Sequence, residues 1–379
     1  MLMITRITNG NVLIDGVFQK VDLYLEGKTI VSIGQAIPFD RDIDAGGNYV
    51  TAGFIDLHCH GGGGANFSDG DRDGVIHAAK THLRHGTTSL FPTALSADFD
   101  KLEQAICAME EAQAVLPMLV GIHLEGPYFS PAQTGAQNGK ALRKPLPEEY
   151  SSILSSHKIA RWDYAPELDT DFSFLHALQA AGAVPSAAHT DATCAEMEAA
   201  AAQGCRLITH LYSCTSTIRR EAGFRIAGVV EAAYLTDEIC AELIADGCHL
   251  PHSLLRLAYK LKGPDRLVLV TDAMRAAGLE QTGAFDIGGV PCIVEDGVAK
   301  LLDRTAFAGS VATTDRLVRT CQAAGIPLAD CVKMMTQTPA RIMGLSHKGR
   351  IEVGCDADIV IFDADITIQK VFLLGEQVV

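Results

Sequence analysis

The 379-residue chain is short of positive charge: 31 Lys and Arg stand against 46 Asp and Glu, a formal net charge of -15. A surface of that sign disfavours nonspecific nucleic-acid binding and anionic membranes. Uninterrupted apolar runs of about 18 residues are absent, so no membrane span is expected. The opening stretch MLMITRITNGNVLIDG lacks a basic region followed by an apolar block, so no secretory signal is expected there. The 11 Cys include no Cys-x-x-Cys pair. In a chain long enough for an ample core this predicts reduced, mostly buried thiols in a cytoplasm rather than a disulfide framework. No GxxxxGK followed by Ser or Thr occurs, and no GxGxxG follows a strand pattern, so a nucleotide loop is not expected. What remains is globular: 48% hydrophobic and 20% charged residues exclude intrinsic disorder.

Both ends of the chain read as short strands. Ile4–Ile7, Asn11–Ile14, Val21–Glu26 and Ile30–Gly34 are separated by Asn-Gly, Asp-Gly and Glu-Gly turns, and Ala357–Phe362 and Val371–Leu374 resemble them. Each segment alone is too small for a sheet core, so the two are expected to meet in one small β-sandwich domain, residues 1–50 and 348–379. Between them, residues 51–347 alternate short apolar runs with helical patterns. The strands are expected at Phe54–His58, Thr88–Pro92, Met118–Glu125, Ile159–Ala165, Val184–His189, Leu207–Leu211, Ala241–Ala245 and Leu267–Thr271. Such a series predicts a (β/α)8 TIM-type barrel, with a doubly wound open sheet as the alternative. A barrel places its chemistry at the C-terminal ends of the strands.

That is where His, Asp and Glu collect. The first run ends Asp56-Leu57-His58-Cys59-His60, and strand alternation puts His58 and His60 on one face, a natural metal-ligand pair, with Cys59 turned away. The third ends His123-Leu124-Glu125, the fifth Ala188-His189, the sixth Thr209-His210 and the eighth Thr271-Asp272. Together these residues predict a metal-dependent hydrolase. The Gly61–Gly64 run is expected to form a flexible loop at the site, and Lys140, Arg143 and Lys144 a basic cluster at its rim.

The pattern resembles the amidohydrolase superfamily and, more narrowly, the N-acetylglucosamine-6-phosphate deacetylase family. The carrying segments are His123-Leu124-Glu125-Gly126-Pro127, Thr209-His210-Leu211-Tyr212, Ile244-Ala245-Asp246-Gly247-Cys248-His249, Leu269–Met274 and Ala308-Gly309-Ser310. The resemblance implies that Glu125, His189 and His210 hold a divalent metal, that His58 and His60 hold a second in members possessing that pair, and that Asp272 is the catalytic acid/base. It implies that His249 polarises the acetyl carbonyl. Gln137, Asn138, Ser213 and Cys214 would fall in segments that hold the sugar, and Arg220 would meet a phosphate in a pocket completed by the second subunit of a homodimer. The family usually carries His at Gln137 and Asn-Ala-Met where Ser213-Cys214-Thr215 stands here.

The chemistry suits these residue types. Divalent metals acidify bound water, and a neighbouring carboxylate can pass the proton to a leaving amine. His and carboxylate ligands fit one or two ions, Zn first, with Fe, Mn, Co or Ni also compatible. The expected partner is a small amino sugar phosphate, and the expected reaction is removal of its N-acetyl group. The alternatives are a related amide (N-acetylgalactosamine-6-phosphate, an unphosphorylated acetyl-amino sugar or an N-acyl amino acid) or a barrel kept only for binding.

Overall fold

A computed structural model describes residues 3–280 and 282–379. Its centre is a sheet of eight parallel strands in sequential order: Phe54–Cys59, Thr87–Ala94, Ile122–Glu125, Ile159–Tyr164, Val184–Ala187, Leu207–Ile208, Cys240–Ile244 and Leu267–Val270. The last meets the first through the Asp272 N–H, which donates to the His58 carbonyl (2.9 Å), and through a parallel bridge from Cys59 to Ala273. The ring is thereby closed, and the open-sheet alternative falls. The eighth strand, Leu-Val-Leu-Val, is buried at every position, as expected of a barrel strand covered on both faces.

The two termini do meet. Ile359–Phe362, from the C-terminal end, pairs antiparallel with Tyr49–Ala52 in the middle of a six-stranded sheet. A second sheet, of four strands, is built around Ile4–Thr8. Ile7, Val12, Leu25, Ile30, Ile359, Ile361 and Phe372 form the apolar core between them. Among the described residues no helix is long and apolar enough to cross a membrane.

Three features were not expected. A four-stranded antiparallel sheet spanning residues 283–310 follows the eighth strand. A small hairpin pairs Arg219–Glu221 with Phe224–Ile226. Gly61–Gly64 is a tight turn rather than a flexible loop: Gly61–Gly62 pairs with Ala65–Asn66, and the Gly61, Gly63 and Gly64 N–H groups donate to the carbonyls of Ala273, Ala277 and Arg275. A Cβ on Gly61 would lie 2.2 Å from the Ala65 carbonyl oxygen, so glycine is required by the close approach.

Candidate metal centre

Six of the residues named from the sequence converge at the C-terminal mouth of the barrel. His58 and His60 leave the first strand on the same face, with their Nε2 atoms 3.1 Å apart. Glu125 ends the third strand. Its Oε1 lies 3.1 Å from His189 Nε2 and 3.0 Å from His210 Nε2, and its Oε2 lies 3.2 Å from His60 Nε2. Asp272 Oδ1 stands opposite, 3.2 Å from His60 Nε2 and 3.5 Å from His58 Nε2. His189, His210 and Asp272 all have positive φ (44°, 29° and 46°). Such backbone is costly for non-glycine residues and persists where surrounding structure holds it. Here it turns each side chain from the strand end toward the barrel axis.

The hydrogen bonds on the far side of the rings decide what the near side can do. His189 Nδ1 faces the Gln133 carbonyl (2.8 Å), and His210 Nδ1 faces the Ser213 carbonyl (3.0 Å). A carbonyl only accepts, so each Nδ1 carries a proton, which leaves Nε2 facing Glu125 Oε1 either as a donor in the protonated ring or as a lone pair for a metal in the neutral one. Either a proton on each ring or a shared cation satisfies these contacts, and second-nitrogen bonds of this type orient metal-ligating histidines. The residues therefore fit a divalent ion held by Glu125, His189 and His210. His58, His60 and Asp272 form an adjoining cluster able to take another.

Among themselves the groups share protons: burial opposes charging of His189 and His210, yet Cys214 and Glu125 hold His189 well above the ordinary imidazole range and Glu125 holds His210 above it. Burial alone would push the Glu125 carboxyl up, but the His58 charge and the hydrogen bonds of His189, His210 and His60 hold it well below the usual range. Burial likewise opposes ionisation of Asp272, while His60 and the His58 charge bring it down to about 2.

Beneath this layer lies a buried polar network that the sequence reading missed. Arg161 and Asp163 alternate along the fourth strand and are wholly buried. The Arg161 guanidinium pairs with Asp163 and Glu242 and donates to Thr209 Oγ1 at 2.7 Å. Asp163 lies 3.0 Å from His123 Nε2, and Glu242 Oε2 lies 3.6 Å from His58 Nδ1. The available signal was a pair of charges two residues apart inside a strand that should be apolar on both faces.

Glu125, His189, His210, His60 and Asp272 line a cavity of about 200 Å³, together with His249, Ser213, Cys214 and Gln137. His249 Nδ1 bonds Asp246 Oδ2 at 2.8 Å, and its ring packs 4.7 Å from Phe307 on the inserted sheet. Asn138 is exposed and is not among the lining residues, and its Oδ1 accepts from the Lys140 N–H. Arg143 is held by Glu149 and the Ala97 and Ala141 carbonyls, away from the lining. Arg220 is exposed on the 219–226 hairpin, beyond the cavity. Among the described residues no Lys or Arg lines the cavity.

Comparison with known proteins gives a consistent picture. The amidohydrolase family profile matches residues 49–378. A Lysinibacillus sphaericus N-acetylglucosamine-6-phosphate deacetylase is 32% identical over 99% of this chain and 97% of its own. The crystal structure of the Pasteurella multocida N-acetylglucosamine-6-phosphate deacetylase superposes with a TM-score of 0.92 at 30% identity, covering 99% of both chains. A Mycobacterium smegmatis deacetylase mutant solved in complex with N-acetyl-D-glucosamine-6-phosphate superposes with a TM-score of 0.91 at 31% identity, covering 100% of this chain and 99% of its own.

Proposed function

The chain belongs to the amidohydrolase family, and from that premise we propose that it removes the N-acetyl group of N-acetylglucosamine-6-phosphate, giving glucosamine-6-phosphate and acetate. The observation that carries the reading is the meeting of the His189 and His210 Nε2 atoms on one oxygen of Glu125, with Asp272 facing them across the cavity. The relatives described above, which act on this sugar phosphate by name, supply the substrate class.

A divalent ion held by Glu125, His189 and His210 supplies an acidified water and a Lewis acid when bound, and Zn is the ion we favour for this donor set. The protein's own groups do the rest. The Asp272 carboxylate takes the proton of the attacking water and returns it to the amide nitrogen as the C–N bond breaks. His249, anchored through Nδ1 on Asp246, presents Nε2 to the cavity. A proton on Nε2 donates to the acetyl oxygen, with Asp246 fixing the ring's orientation. Ser213, Cys214 and Phe307 wall the space left for the sugar.

The phosphate needs a cation that the protomer's cavity lacks. Arg220 lies on an exposed hairpin beside exposed Ile218 and Phe224, an apolar, basic surface suited to a second copy of the chain. This supports a homodimer in which each Arg220 serves the neighbouring cavity, where a guanidinium pairs well with phosphate. The cytoplasmic reading rests on the free state of the cysteines. The lack of Lys or Arg in the lining favours one second reading, an unphosphorylated acetyl-amino sugar.

Replacing Asp272 by Asn tests the proton shuttle. Turnover should fall by about 10²–10⁴, while the purified protein still holds the ion of the Glu125–His189–His210 set, at least one metal per chain. Turnover within threefold of wild type would remove Asp272 from the mechanism.

A further inference from the structure

Gln137 lines the cavity but spends its side chain elsewhere. Its Nε2 donates to Glu125 Oε2 at 2.6 Å, and its Oε1 accepts from the Ser96 N–H at 3.1 Å. Gln137 and Ser96 are both buried. Ser96 follows the second barrel strand and Gln137 follows the third, so the amide ties two loops together across the carboxylate. These two bonds also fix which way the amide faces. Flipped, it would set a carbonyl against the carboxylate and an NH2 against the Ser96 N–H, two repulsive contacts in a buried site.

The same stretch of loop governs a second ligand. The Gln133 carbonyl accepts the His189 Nδ1 proton, and Gly135 packs so closely that an added Cβ would lie 2.5 Å from Cys214 Sγ and 3.3 Å from His189 Cε1. Gln133–Gln137 therefore touches both Glu125 and His189. With Oε2 bonded by Gln137, Glu125 keeps Oε1 directed at His189 and His210.

We propose that Gln137 is a positioning residue for the metal centre: its amide holds Glu125 in the orientation that completes the Glu125–His189–His210 donor set, and it does not bind the sugar. The proposal deepens the metal-hydrolase reading and rests on it. Carboxylates that ligate metals are themselves hydrogen-bonded, and losing such a partner typically costs about 10–100-fold in metal affinity.

The test separates positioning from substrate contact. Gln137→Met keeps the length and removes both hydrogen bonds; Gln137→Glu keeps an acceptor for Ser96 but sets a carboxylate against Glu125. Zn affinity is read on the full-length protein, without substrate, by competition with a chromophoric chelator. KM for N-acetylglucosamine-6-phosphate is then read at saturating Zn. We expect Zn affinity to fall about 10–100-fold in Gln137→Met and further in Gln137→Glu, with KM within twofold of wild type. Unchanged Zn affinity overturns the proposal, whether KM rises or stays constant. Should Gln137→Met not fold, the same readings on Gln137→Glu decide. Because Zn affinity is measured without substrate, failure to turn over this sugar would count against the proposed substrate and leave the positioning test intact.

Discussion

Single residues at the strand ends carried most of the legible information. His58 and His60 share a face because a period-2 strand delivers alternate side chains to one side, whereas His189, His210 and Asp272 stand just past their strand ends in positive-φ backbone. The bonds that orient them were not legible, since Gln133, Ser213 and Asp246 act through loop geometry or a partner remote from the reacting centre. Away from the site, Asp315 shows how a single carboxyl can mark acid stability. Burial opposes its ionisation, but hydrogen bonds from His85 and Thr313 and the Arg319 charge hold it down to about 2. A depressed carboxyl stabilises the fold above its unfolded pKa of about 3.9 and loses that contribution as pH falls toward 2. The contribution is roughly 2 kcal/mol at neutral pH. Urea unfolding at pH 5 and pH 3 should therefore show a smaller acid loss for Asp315→Asn than for wild type. Equal losses would show that this carboxyl is not held as described.

At the scale of elements, the alternation of apolar runs and helical patterns marked the eight strands because each barrel strand is buried on both faces. Boundaries shifted where local irregularity intervened: the third strand begins at Ile122 rather than Met118. The inserted sheet at residues 283–310 escaped notice because its short antiparallel strands, with their Asp-Gly and Gly-Gly turns, interrupt the rhythm expected of a barrel. It nonetheless shapes the site, bringing Phe307 against His249 and bonding the Ser310 N–H to the Asp272 carbonyl at 2.8 Å. The fourth strand contains the other departure. Arg161 sits among Asp163, Glu242 and Thr209 in the barrel interior, and removing it would strand two buried carboxylates. Losing one partner of a buried charge pair costs about 3–5 kcal/mol, so Arg161→Ala should lower unfolding stability by that amount in chemical denaturation. A loss under about 1 kcal/mol would show that the network is not needed for stability.

For the molecule as a whole, the termini close on one another because neither end has enough apolar surface to form a sheet core alone. The net charge of -15 belongs to the entire surface and does not exclude an anionic ligand at one rim. Under the proposed function, an ion at Glu125, His189 and His210 would gather positive charge at the barrel mouth, and Arg220 of a second copy would add to it. The central claim is thus a phosphate-dependent deacetylase, and the most direct measurement is kcat/KM for acetate release from N-acetylglucosamine-6-phosphate, N-acetylgalactosamine-6-phosphate, N-acetylglucosamine and an N-acetyl amino acid. The account predicts that N-acetylglucosamine-6-phosphate is best and that removing the phosphate costs at least about tenfold, the equivalent of 1.4 kcal/mol of binding. Equal or faster release from the unphosphorylated sugar, or no release from any phosphorylated one, would contradict it.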